Sequence, residues 1–151
     1  MASSLRSQAL RIFQAAVRAA APREAVLRHL RLIGNTLVAG RKHYRLNAFR
    51  NVHVVGAGKA SARMAQAVER LLGKRISGGL INVKYGYTAK LRRIRINECG
   101  HPIPDSNGQA GAERIAEMKN RGFTEAREQL PELRRHFFDG EAEPFVPFHS
   151  L

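Results

Sequence analysis

Lysine directly after a Gly-x-Gly turn is the feature of this chain best suited to chemistry. The stretch Val52-His53-Val54-Val55-Gly56-Ala57-Gly58-Lys59 carries an apolar strand pattern into the turn, and a helical pattern follows from Ala60 to Met64. A turn so placed lies at the carboxyl end of its strand, the edge at which open α/β sheets bind ligands. Free N–H groups at the start of the helix, the helix dipole and the Lys59 ammonium all favour a phosphate or a carboxylate.

Two better-defined motifs are excluded by residue type. A Walker A loop needs glycine five positions before its Gly-Lys pair, where this chain has His53, and a hydroxyl after the lysine, where it has Ala60. The magnesium-binding hydroxyl of that loop is therefore missing. The dinucleotide fingerprint fits loosely, with Ser61 at its third small position and Lys84 where an acid would meet the ribose. A ligand-free glycine turn is the competing reading of the same residues.

Two further loops bring polar groups to the same predicted edge. Lys84 and Tyr85 follow a second apolar strand over residues 79–83, and Gly100-His101-Pro102-Ile103-Pro104-Asp105 follows a third over 94–98. Lys59, Lys84, His101 and Asp105 are thus the candidate site residues, with Gly56 and Gly58 as the backbone cradle. Each has a plainer reading. Lys84 suits a solvated strand end, His101 a loop histidine, and Asp105 the cap of the next helix, which the pattern predicts over residues 107–119.

The elements that position these loops follow from periodicity. Leu5, Ala9, Ile12, Phe13, Ala16 and Val17 recur at helical spacing, and Pro22 opens a second helix predicted to carry Val26, Leu27, Leu30 and Ile33 up to Gly34. Thr36-Leu37-Val38 and Tyr44-Arg45-Leu46 around Gly40 predict a short hairpin. A strand at 52–55, a helix at 59–72 and the two later strands then predict a parallel sheet flanked by helices. The fold class is α/β, a three-layer Rossmann-like parallel-sheet domain incomplete on its C-terminal side. Residues 1–50 form its opening helices and hairpin, 51–120 its core, and 121–151 a divergent tail.

Composition narrows the function classes. The chain has 151 residues, 44% hydrophobic, enough for one domain with a core. It has no apolar run of the length a transmembrane helix requires, so a membrane partner is not expected. Its one cysteine, Cys99, cannot form an internal disulfide, which fits a reducing, cytoplasmic setting and a small buried residue near a strand end. The arginine-rich, acid-free N-terminus resembles a transit peptide, but its pattern runs on into the second helix and reads better as structure.

Net charge is +14, unevenly spread. Residues 1–50 hold ten Lys/Arg against one acid, 51–120 twelve against five, and 121–151 four against six. Such charge attracts polyanions, but twenty of the 26 basic residues are arginine and no interleaved aromatics accompany them. Nucleic acid is accordingly not the expected partner.

Four stretches together resemble one family. Val54-Val55-Gly56-Ala57-Gly58-Lys59-Ala60, Ser77-Gly78-Gly79, Val83-Lys84-Tyr85-Gly86 and Gly100-His101-Pro102-Ile103-Pro104-Asp105 match, in order and spacing, the first part of the glycerate 2-kinases whose C-terminal half is called the MOFRL domain. The resemblance covers about residues 5–119. It implies ATP-dependent phosphorylation of D-glycerate at the 2-hydroxyl, a divalent metal (Mg), and a site in the cleft between two domains. Lys59 would contact the transferred phosphate or the glycerate carboxylate. The resemblance also implies a strand and a glycine-rich loop after residue 120, where this chain instead turns acidic. A frameshifted or truncated coding sequence would explain that departure. It would leave little activity and an exposed sheet edge prone to self-association. The alternative is a non-catalytic basic α/β module that binds nucleotide, anion or nucleic acid.

Overall fold

The computed structural model describes residues 4–129. Helices α1 (Leu5–Ala19) and α2 (Pro22–His29) lead into strands β1 (Leu30–Ile33), β2 (Thr36–Ala39) and β3 (Lys42–Arg45). Then come β4 (His53–Ala57), α3 (Ser61–Leu72), β5 (Gly78–Lys84), β6 (Ile94–Cys99) and the long α4 (Ser106–Glu128).

Two short sheets result. β1, β2 and β3 form an antiparallel meander, and β4, β5 and β6 form a parallel sheet in that order. Val54 pairs with Gly79 and Leu80 with Arg95, so the three strands start nearly together, and β4 ends opposite Asn82, two residues before β5 and β6 end. α3 packs on one face of the parallel sheet and α4 on the other, which gives the expected three layers. The connection from β5 to β6 has no helix. It returns along the α3 face, where Ala89 and Leu91 pack on the core and Gln66 donates to the Lys90 carbonyl at 3.4 Å.

The core lies between α3 and the sheet. Ala62, Ala65 and Leu72 of α3 meet Ile76, Ile81, Val83 and Ile94, all buried. Alanines at 62 and 65 let α3 lie close to the strands. Glu69 on the same helix reaches the entry to β6, where it accepts the backbone N–H groups of Arg92, Arg93 and Ile94 at 2.5–3.0 Å. Partial burial raises its pKa, but those three N–H donors together outweigh it and hold Glu69 below the ordinary carboxylate range.

Four expectations need correction. The second helix stops at His29, and Leu30 to Ile33 is a strand. Apolar residues at 30 and 33 fit a helix, but Leu30 and Leu32 also fit alternation. Gly34, with φ of 56°, makes the turn to β2 rather than a helix stop. The hairpin is accordingly the second half of a three-stranded meander. α3 begins at Ser61 rather than Lys59. Finally, α4 continues to Glu128, past the expected end at 119, so residues 121–128 are helical. The rest of the expected tail lies outside the described residues.

The apolar face expected of α1 is present and uncovered. None of its residues is buried, and Leu5, Ile12 and Phe13 stand well exposed among the described residues. In the parallel sheet, β4 pairs only with β5 among the described residues, and Val55 on it is 44% exposed. No described helix is long and apolar enough to cross a membrane.

Candidate phosphate-binding edge

The turn after β4 is built as a close approach. Gly58 sits at φ of 105°, a conformation that disfavours any side chain, with nothing within 4 Å of where a Cβ would stand. Its N–H donates to the Asn82 carbonyl at 2.9 Å, and its carbonyl accepts the Ser61 N–H at 3.0 Å. The first bond ties the turn to the end of β5, and the second folds the chain directly into α3. A Cβ at Gly56 would meet Ile81 and Ser61 at ordinary contact distance. Glycine there keeps strand and helix close but is not sterically obligatory.

Lys59 is exposed at the head of this turn. α3 has no side-chain cap, because Ala60 occupies the N-cap position. Its first N–H groups are therefore not satisfied by a serine or aspartate, and Lys59 stands beside them. That combination suits an anion.

The other two loops are locked together, through Asp105 but not through Lys84 or His101. Tyr85 Oη donates to Asp105 Oδ2 at 2.8 Å and accepts from Asn107 Nδ2 at 2.9 Å. Asp105 Oδ1 accepts the Gly108 N–H at 2.8 Å, the N-cap of α4. Asp105 is held below the ordinary carboxylate range, first by the Gly108 N–H, then by the Gly100 N–H and the Tyr85 hydroxyl. The same pairing pushes the Tyr85 phenol up. Gly86 N–H donates to Glu98 Oε1 at 2.7 Å, and Tyr85 N–H to the Cys99 carbonyl at 3.2 Å.

Of the predicted site residues, Gly56, Gly58 and Lys59 form one continuous cradle. Lys84 is half-buried with its Nζ 5.4 Å from the centre of the Tyr87 ring, a cation–π contact. His101 is exposed on the next loop, after a cis bond to Pro102. Asp105 is a helix cap bonded to Tyr85, as its plainer reading proposed. Cys99 is buried, and its thiol donates to the Val83 carbonyl at 3.4 Å. Sequence reasoning missed Asn107 altogether and saw in Tyr85 only a loop residue, because nothing local signals that the two loops meet.

A magnesium site is not supplied by these residues. No cluster of three or more His, Cys, Asp or Glu able to hold a metal occurs among the described residues. Asp105 is committed to its cap, and position 60 lacks a hydroxyl.

Parallel strands with helices on both faces define an α/β domain, with the glycine turn at the carboxyl edge of its sheet. Residues 8–127 match the domain of unknown function DUF4147. The chain belongs to that family, the N-terminal domain of MOFRL-associated glycerate kinases. It is 34% identical over 121 residues to a glycerate 2-kinase of Pyrococcus horikoshii, covering 80% of this chain and 27% of that one. It superposes on a crystal structure of a Pyrococcus horikoshii protein with a TM-score of 0.69, 34% identity and the same coverage. A relative from Agrobacterium vitis with a provisional hydroxypyruvate reductase name is 37% identical over 114 residues, covering 74% of this chain and 22% of that one. The chain thus spans about a quarter of the length of these curated relatives.

Proposed function

We propose that this chain carries the anion-binding wall of a glycerate 2-kinase site, with the 56–59 turn and the start of α3 receiving a phosphate of ATP or the carboxylate of D-glycerate. The observation that carries this reading is an uncapped helix start behind a glycine turn, with Lys59 exposed beside it. Topology supports the same spot. After β6 the chain crosses to the opposite face, and α4 ends beside β4, where Asn51 Nδ2 donates to Glu125 at 3.1 Å. A strand added beside β4 after that return would put the reversal of strand order, and with it the crevice, at the carboxyl end of β4.

Lys59 would neutralise charge and orient the bound group. The Tyr85–Asp105–Asn107 lock would fix the neighbouring loop and would not touch the reacting atoms. In-line phosphoryl transfer needs donor, acceptor and metal held together. With no metal cluster among the described residues, Mg would come with the nucleotide or be held elsewhere. The reductase name of the Agrobacterium vitis relative would require a nicotinamide cofactor. Ser61 and Lys84 depart from the fingerprint that binds one, so the kinase reading is preferred.

Titration with ATP at fixed salt tests this. Lys59→Ala should weaken binding by about 1–3 kcal/mol, the range for hydrogen bonds to charged groups, because the helix N–H groups remain. Lys90→Ala, which removes the same charge from another loop, should leave it nearly unchanged. Equal losses in the two variants would reduce the attraction to net charge. Binding of NADH with no binding of ATP would favour the reductase reading.

A further inference from the structure

The opposite, amino-terminal end of the parallel sheet holds a second cluster of charge. A cleft of about 450 Å³ lies there between the sheet and α4, and its walls include His53, Arg93, Arg95, Arg114, Arg121 and one acid, Glu117. His53 of β4 pairs with Gly78 of β5, and Leu80 of β5 pairs with Arg95 of β6. Glycine at 78 leaves the floor between them open. Arg93 is anchored from below, its Nη1 donating to the Ile76 carbonyl at 3.1 Å. Arg95, Arg114 and Arg121 make no ion pair among the described residues.

A sheet face beneath a helix is ordinarily apolar. Here strand and helix instead present guanidinium groups to one cleft, with a single carboxylate between them. The arginines are exposed, but like charges gathered around one concave space still repel one another and raise the local positive potential. An anion in the cleft would reverse the sign of that interaction.

We propose that this cleft binds a small multiply charged anion of the phosphate class, such as a pyrophosphate group, at a site separate from the 56–59 turn. Guanidinium forks match phosphate oxygens two at a time, and several of them around one cleft suit more than one phosphate. The volume is that of a small-molecule site. Among the described residues the His53 imidazole is the one aromatic ring lining it, and these residues supply no stacking platform of the kind that single-stranded nucleic acid uses.

Calorimetric titration of the full chain with inorganic pyrophosphate, at constant ionic strength, tests the proposal. Arg95→Gln and Arg114→Gln should each lower affinity about tenfold, as loss of a charged hydrogen bond implies. Arg18→Gln on α1 changes net charge equally and should alter affinity less than about twofold, as should Lys59→Ala. Arg114 is exposed on α4, so that variant together with Arg121→Gln carries the test should Arg95→Gln fail to fold. An equal loss in Arg18→Gln, absence of saturable binding, or preference for a single-stranded oligonucleotide over pyrophosphate would overturn it. Loss with Lys59→Ala alone would also overturn it while sparing the 56–59 turn.

Discussion

The two faces of the parallel sheet are built on different physics. Beneath α3 the strands bury Ile81, Val83 and Ile94 against Ala62, Ala65 and Leu72. Beneath α4, one residue along the same strands, the buried positions are Leu80 and Asn82, and the partner of Asn82 on β6 is Asn97. Asn97 Nδ2 donates to Asn82 Oδ1 at 3.0 Å, and Asn82 Nδ2 donates to the Gly108 carbonyl at 3.0 Å. No buried side-chain nitrogen or oxygen is left unpaired among the described residues. The first face is held by non-directional burial, the second by a satisfied polar ladder under a helix that must come close. A tolerant face and an exacting one therefore share one sheet.

The largest expected effect is on the apolar face. Ile81→Ala removes a fully buried side chain and leaves a cavity, at a cost of about 2–5 kcal/mol. Urea unfolding followed by circular dichroism measures it, and a loss under about 1 kcal/mol would mean that this face is not closely packed.

Next comes the polar face. Gly111 of α4 lies directly over the ladder, and a methyl group there would collide with Asn82 Oδ1 and Asn97 Nδ2. Alanine gains up to about 1 kcal/mol in helix propensity, but overpacking and broken buried hydrogen bonds outweigh it. Gly111→Ala should be destabilising by about 1–3 kcal/mol. Gly122, lower on the same helix, has nothing within 4 Å of its would-be Cβ. Gly122→Ala should instead stabilise by about 0.5–1 kcal/mol. Two shifts of the same sign in thermal unfolding would refute the contrast between a crowded and an open stretch of α4.

A smaller effect distinguishes the loops. Asp105 is lowered, so its contribution is complete above the ordinary carboxylate range and is lost as pH falls below about 4. Tyr85 is raised, so its contribution is complete below its ordinary value and is lost as pH climbs past about 10. Hydrogen exchange of the 100–108 loop should stay slow between those limits and quicken outside them. Tyr85→Phe should remove the alkaline step and leave the acid step, which Gly108 also supports. An unchanged alkaline step would place its cause elsewhere.

The same contrast decides what was legible in the residues themselves. Apolar strands and the 3.6-residue spacing of α3 announce the hydrophobic face, and the parallel order of β4, β5 and β6 follows from them. Asn82 stands out as a polar residue in an apolar strand, but its partner Asn97 is fifteen residues away, and no local pattern joins them. Leu30 to Ile33 misleads because four residues satisfy helical and strand periods alike. Residues 121–128 mislead because a change of charge is not a change of conformation. At the carboxyl edge the Gly56–Gly58–Lys59 cradle is visible from spacing alone, whereas the Tyr85–Asp105 lock depends on two loops meeting in space.

The central claim is that the carboxyl edge at the 56–59 turn receives an anion. Backbone amide shifts during titration of the labelled chain with ATP test it most directly. The account predicts saturable shifts at Gly58, Lys59, Ser61 and Ala62 whose midpoint moves to higher ATP concentration in Lys59→Ala. Motionless amides at those positions, while others respond to ATP, would contradict it.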